Sequence, residues 1–311
     1  MDVVIVAIVP ILLLLAGGSI VRRWFLPHPE FWSGLSWMTY WVFTPALFVA
    51  SISRADLDVV PVGSLLVCLV APIVVVAASA LALGRAIRAD GPQVTSLVQG
   101  SIRVNTYIGL IFASAVHGAT GVAVFAIASA IVVPLVNIIC VSVLSSCGRV
   151  DAAVRKPRVW RDLAFNPLIL SCLAGTGLNV LQVPLPTVLS SSLTLLSAPA
   201  LAAGTLIAGA ALRLTFERRD LVDVALASAL KLVALPLGAG ALAAWLGVSG
   251  VELFVVVLIC AVPTAPSAYI LATKMGGDAR LMATITGVQT VLSIVSIPAL
   301  LAFVGSFTPT A

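Results

Sequence analysis

The sequence predicts an all-α integral membrane protein with ten transmembrane helices, arranged as a 5+5 inverted repeat with broken, crossing helices four and nine. Three observations lead there. Of 311 residues, 61% are hydrophobic and only 9% charged, against about 25% charged in an ordinary soluble domain. No soluble shell can be built from so few charges, and the apolar excess must face lipid. Apolar runs of the roughly 20 residues needed to cross about 30 Å of hydrocarbon recur along the chain, at 3–21, 33–53, 62–84, 94–116, 121–144, 165–183, 187–211, 221–246, 252–272 and 280–303. The cations, finally, sort themselves between alternate loops.

Taken in order, the first run is flanked by Met1-Asp2 and Arg22-Arg23, which lacks a positive leader region and carries a stop-transfer flank, so it reads as a retained helix. Trp37 and Trp41 in the second, with Trp24 and Trp32 in the loop before it, are interfacial anchors. Asp90-Gly91-Pro92 separates the third from the fourth, Pro184-Leu185-Pro186 the sixth from the seventh, and Gly276-Gly277-Asp278 the ninth from the tenth, each a turn signal. β-branched stretches such as Ile131–Val133 lie inside apolar segments without the polar alternation of a barrel strand.

Loops after the odd-numbered helices hold Arg22, Arg23, Arg85, Arg88, Arg149, Arg155, Lys156, Arg158, Arg161, Arg213, Arg218, Arg219, Lys274 and Arg280, whereas the opposite loops and both termini hold Arg54 alone. By the positive-inside rule this places both termini on the outer face of the cytoplasmic (inner) membrane. Of the 17 cations, Arg103 and Lys231 then remain, both inside helices.

Local patterns recur between the halves. Pro10-Ile11-Leu12 resembles Pro167-Leu168-Ile169, Pro45-Ala46-Leu47 reappears as Pro199-Ala200-Leu201, and Pro72 answers Pro236. Residues 1–144 form a first repeat of five helices, 145–164 a cytoplasmic connector and 165–311 a second repeat, which an odd helix count inverts. Inverted repeats mark secondary transporters, whose ligand site lies at the midplane between discontinuous helices.

Arg103 and Lys231 each lie ten residues into a helix that enters from the cytoplasm, about 15 Å deep at 1.5 Å per residue. A charge there is costly and normally faces a cavity. At the same depth Pro263-Thr264-Ala265-Pro266 removes two backbone donors, and Asn105-Thr106-Tyr107-Ile108-Gly109 is the matching stretch of helix four. Asp and Glu are confined to loops and helix ends. Two cations and two sets of half-helix N-termini without a carboxylate suit an anion and argue against a Na⁺/H⁺ exchanger or proton pump. Candidate substrate-binding residues are Arg103, Asn105, Thr106, Lys231, Pro263 and Thr264; Asn105, Gly109, Pro263 and Pro266 mark the helix crossover. Asn137 and Gln289, with Gln99 and Thr290 beside them, are candidates for a coupling-ion site or a polar network. Blander readings stay open: Arg103 reaching toward the cytoplasm, Lys231 latched to a helix carbonyl end, a plain proline kink, and Asn105 as a packing amide.

Five scattered cysteines lack metal-ligand spacing, and paired carboxylates, metal clusters or a Ser/His pair are not found at membrane depth. Neither an enzyme nor a metal or cofactor site is expected. A basic stripe with interleaved aromatics, as nucleic acid would require, is not found either.

Arg103-Val104-Asn105-Thr106-Tyr107-Ile108-Gly109, Val136-Asn137, Lys231-Leu232-Val233-Ala234-Leu235-Pro236, Pro263-Thr264-Ala265 through Tyr269, Gly276-Gly277-Asp278 and Gln289-Thr290 resemble the auxin efflux carrier family in its compact prokaryotic form. The resemblance implies helices four and nine crossing at proline-containing breaks, scaffold and transport domains that move as an elevator, and small carboxylates such as malonate, malate or auxin-like acids as substrates. This sequence departs from it in helix four, where Asn105 and Gly109 stand in place of a proline. Partners expected are a small organic anion, the bilayer and a second copy of the chain as a homodimer, with the coupling ion open. A Na⁺-coupled symporter of bile-acid type using Asn137 and Gln289 is one alternative, and a receptor that binds the anion without moving it is another.

Overall fold

A computed structural model describes residues 10, 13–54, 62–148, 165–211 and 220–305. Both termini, most of the 145–164 connector with its basic residues, and Arg213, Arg218 and Arg219 lie outside the described residues. Every regular element among the described residues is helical.

Helix α1 covers 13–20 and widens into a π-type turn at Val21–Phe25. Helix α2 spans Pro29–Ile52 and widens at Thr39–Phe43; a later helix, Leu221–Trp245, widens at Leu230–Ala234. The first wide turn ends where the chain leaves the helix at Leu26, and the other two share one cause. Each ends two residues before a proline that the helix contains, Pro45 or Pro236, whose ring clashes with the carbonyl four residues back. The helix avoids the clash with an i→i+5 bond, seen as Thr44 N–H to the Thr39 carbonyl and Leu235 N–H to the Leu230 carbonyl.

Helix α3 is Val62–Ala86 and α4 is Gly91–Ile102. Asp90 and Gln93 form a reciprocal capping box at the start of α4, which satisfies two otherwise unpaired amides. Helix α5, Thr106–Cys147, is folded into two arms at Gly118, where φ is 55° and ψ −138°, a conformation that side chains disfavour. Helix α6 (Pro167–Val180) is capped by the Asn166 side chain. Then come α7 (Thr187–Ala210), α8 (Leu221–Trp245), α9 (Gly250–Ala261), α10 (Ser267–Met275) and α11 (Ala279–Gly305). Gly276 ends α10 in the left-handed region at φ 73°, the usual glycine C-cap.

Six helical stretches are long and apolar enough to cross a membrane: Pro29–Ile52, Gly63–Ala86, Gly91–Cys147, Thr187–Ala210, Leu221–Trp245 and Ala279–Ala302. The protein is therefore a multi-pass membrane protein. The ten expected spans do not map onto these one to one. Gly91–Cys147 covers two of them without a long loop, because it is interrupted by only three residues and a glycine kink. Pro167–Val180 and Gly250–Ala261 are shorter apolar helices.

The helices gather into two compact units, and neither is a half of the chain. One takes α1, α2, α6, α7 and residues 107–130; the other takes α3, α4, residues 131–147 and α8 to α11. Small residues let helices touch in the first, as expected where no hydrophobic effect separates lipid from protein. A Cβ on Gly209 would lie 2.0 Å from the Leu15 carbonyl oxygen, and one on Gly18 2.1 Å from that of Leu206. In the second unit α9 is buried from Leu253 to Ala261, so protein encloses it on all sides. That position is what allows its end to be unwound.

Candidate functional site

A group of buried polar residues in the second unit gathers around two helix ends. After Ile102 the chain leaves α4 in extended conformation, with Arg103 at φ −67° and ψ 151°, and helix resumes at Thr106. After Ala261 it does the same, with Val262 at φ −63° and ψ 142°, and helix resumes at Ser267. Pro263 and Pro266 account for the second interruption, since neither can donate to a preceding turn. The first has no proline. It is held open by the second: Asn105 donates its backbone N–H to the Pro263 carbonyl at 2.8 Å.

Unwinding a helix at membrane depth frees backbone groups that must find partners in protein. The Gly100 carbonyl, which a continuous helix would offer to residue 104, instead accepts the Thr264 hydroxyl at 3.0 Å and Gln289 Nε2 at 2.8 Å. Gln289 Oε1 in turn accepts the Thr264 N–H at 3.1 Å. Thr264 and Gln289 are fully buried and Asn105 nearly so. Gln289, from α11, thus ties the two interruptions together with both ends of its amide.

Arg103 has a different environment. Its half-buried guanidinium donates to Gln99 Oε1 at 3.4 Å, Asn137 Oδ1 at 3.2 Å and Ser267 Oγ at 3.4 Å. All three acceptors are neutral, and all three bonds are at or beyond the long end of the usual range. Arg103 has no carboxylate partner among the described residues. Beside it, the buried Gln99 Nε2 donor has no partner either. The cluster offers strong donors and an uncompensated positive charge.

Lys231 lies in the wide turn of α8, 0% exposed, and its Nζ has no hydrogen-bond partner among the described residues. It is within electrostatic reach of Cys260, in the last turn of α9 before the second interruption. Helix α8 is pressed against α4 there, a Cβ on Gly100 coming 3.3 Å from that of Ala227, one turn before Lys231.

The structure thus brings Arg103, Asn137 and Gln99 into one cluster, and Asn105, Pro263, Thr264 and Gln289 into another. Thr106 opens the restarted helix, half-buried, and Pro266 caps α10. Gly109 sits one turn into the restarted helix, where a Cβ would come 2.1 Å from Phe125 Cζ on the opposite arm. Close packing explains that glycine, and the interruption itself is Arg103–Asn105. Gly109→Val is expected to overpack the hairpin at about 1–3 kcal/mol, read as a lowered Tm of the purified protein. Sequence reasoning missed Ser267 and the Gly100 carbonyl. A serine after Pro266 looks like an ordinary helix start, and a backbone acceptor leaves no side-chain signal.

A family model described as membrane transport protein matches residues 3–301. Comparison with the curated proteins found no significant match.

Proposed function

The chain belongs to the auxin efflux carrier family of membrane transport proteins, and we propose that it is a secondary transporter of a small organic anion, a carboxylate. Members of this family are transporters and not enzymes. The observation that carries the anion reading is Arg103: a guanidinium at a helix interruption, half-open, that donates to the neutral oxygens of Gln99, Asn137 and Ser267 and has no carboxylate partner among the described residues. An arginine fork matches a carboxylate in geometry as well as charge. Thr106 at the start of one restarted helix and Pro266 at the start of the other add partial positive charge. Asn105, Pro263 and Thr264 fix the backbone that presents them, and Lys231, in the same unit, adds a second basic residue.

The same reading takes the chain through the cytoplasmic membrane ten times, both termini outside, as two inverted repeats at 1–144 and 165–311. Its support is the pairing of interruptions at Arg103–Asn105 and Pro263–Ala265 in corresponding places of the two halves. Transport is of the elevator type, the unit that holds both interruptions being the part that carries the anion. Two engaged amide ends on Gln289 favour a polar tie over a Na⁺ ligand at that residue.

Binding is tested by thermal shift of purified protein over a carboxylate panel, since a ligand that prefers the folded state raises its midpoint. A carboxylate is expected to raise Tm in a saturable way, and Arg103→Gln to remove that response. A panel without effect, or an unchanged response in Arg103→Gln, contradicts the proposal.

A further inference from the structure

Arg103 accounts for the charge of the site, and the two amides that hold it remain to be explained. A guanidinium has donors only, so an amide that meets it must turn its oxygen inward. Gln99 does so at 3.4 Å and Asn137 at 3.2 Å, from α4 and from the second arm of α5, both within the second unit. Their amino groups therefore face away from the guanidinium. Gln99 Nε2 is fully buried and has no hydrogen-bond partner among the described residues. Asn137, half-buried, forms no bond there through Nδ2. Arg103 also meets the exposed Ser267 hydroxyl and the buried Cys140 thiol, and a hydroxyl that accepts from Arg103 has its own proton to donate. The group is thus rich in donors, and the oxygens of its two amides are already taken.

Resting on the anion-carrier reading, we propose that Gln99 and Asn137 are specificity residues of the site: with one carboxylate on the Arg103 fork, their amino groups donate to a second oxygen acceptor on the same ligand, a carbonyl or a further carboxylate. A buried donor without a partner carries a desolvation cost. A ligand acceptor removes that cost on binding, and a ligand with only hydrocarbon at that position leaves it in place. Sites built to hydrogen-bond a ligand group reject the analogue that lacks it far more strongly than an apolar pocket rejects a missing methylene. Arg103 has two parts in this. It takes the carboxylate, and by occupying Gln99 Oε1 and Asn137 Oδ1 it fixes which end of each amide the ligand meets. The same arrangement disfavours the opposite use of these amides. A coupling cation would need their oxygens, which the guanidinium occupies, and would stand beside a like charge.

Thermal-shift titration of the purified full chain gives the affinity of each acid from the rise of its midpoint. The probes are acids matched in length: malonate and pyruvate against propanoate, and succinate against butanoate, the first of each set carrying a second acceptor and the last carrying none. Pyruvate and propanoate share one charge, so their ratio reads the added acceptor without a change of charge. Wild type is expected to prefer the acid with the second acceptor by about tenfold, the effect of one such bond. Gln99→Leu is expected to bring that ratio toward one, and Asn137→Leu to lower it in the same sense. Amides that only hold Arg103 in place would weaken both acids of a pair alike and leave the ratio at its wild-type value, which overturns the proposal. Wild-type binding that does not distinguish the acids of a pair also overturns it and leaves the anion reading standing, whereas binding of none of the five overturns both. Where Gln99→Leu does not fold, the half-buried Asn137 carries the same comparison.

Discussion

Arg103→Gln is expected to lower the apparent affinity for a transported carboxylate by roughly 30-fold or more, the equivalent of losing about 2 kcal/mol or more when one member of a desolvated charge pair is removed. Folding should be little affected, because the three bonds of Arg103 are long, at 3.2–3.4 Å, and its acceptors are neutral. Arg103→Lys keeps the charge and loses the planar fork, so an intermediate loss is expected. The measurement is the concentration dependence of uptake, with Tm of each variant as the control. Equal loss in Gln and Lys variants assigns the effect to geometry alone, and loss only in Gln to charge.

Gln289→Leu is expected to have the largest effect on stability. It orphans the buried Thr264 N–H and takes one of two donors from the Gly100 carbonyl. Each buried polar group left without a partner costs about 1–3 kcal/mol, and water cannot replace the amide in a fully buried place. Gln289→Glu separates the two bonds. It keeps an acceptor for Thr264 and turns a second oxygen toward the Gly100 carbonyl, so it should be at least as damaging as Leu. Coupling between Gln289→Leu and Thr264→Val in a double-mutant cycle is expected at about 0.5–3 kcal/mol. Simple additivity would mean that the two interruptions are not tied through this amide.

Much of this site was legible in the sequence because its cues are local. Pro263 and Pro266 mark an interruption wherever they stand in an apolar helix, and Arg103 and Lys231 are conspicuous once the other cations have been assigned to loops. The remainder depends on partners distant in sequence. The first interruption has no residue of its own that demands it; it exists because Asn105 finds the Pro263 carbonyl. A glycine such as Gly109 marks either a break or a close approach, and only the position of Phe125 decides. The wide turns before Pro45 and Pro236 could have been anticipated, since the steric rule is local, but a helical pattern of hydropathy passes over them. The two units interleave the halves of the chain, and no periodicity within a helix reports which helix it will pack against.

The central claim is that the group around Arg103 carries an anion across the membrane. Counterflow tests it most directly: vesicles containing the purified protein are loaded with unlabelled malonate or malate and diluted into a trace of the labelled acid. The expected result is transient accumulation of label inside, absent from Arg103→Gln vesicles containing equal amounts of folded protein. Saturable binding of the acid without any counterflow, or counterflow that Arg103→Gln leaves intact, contradicts the claim.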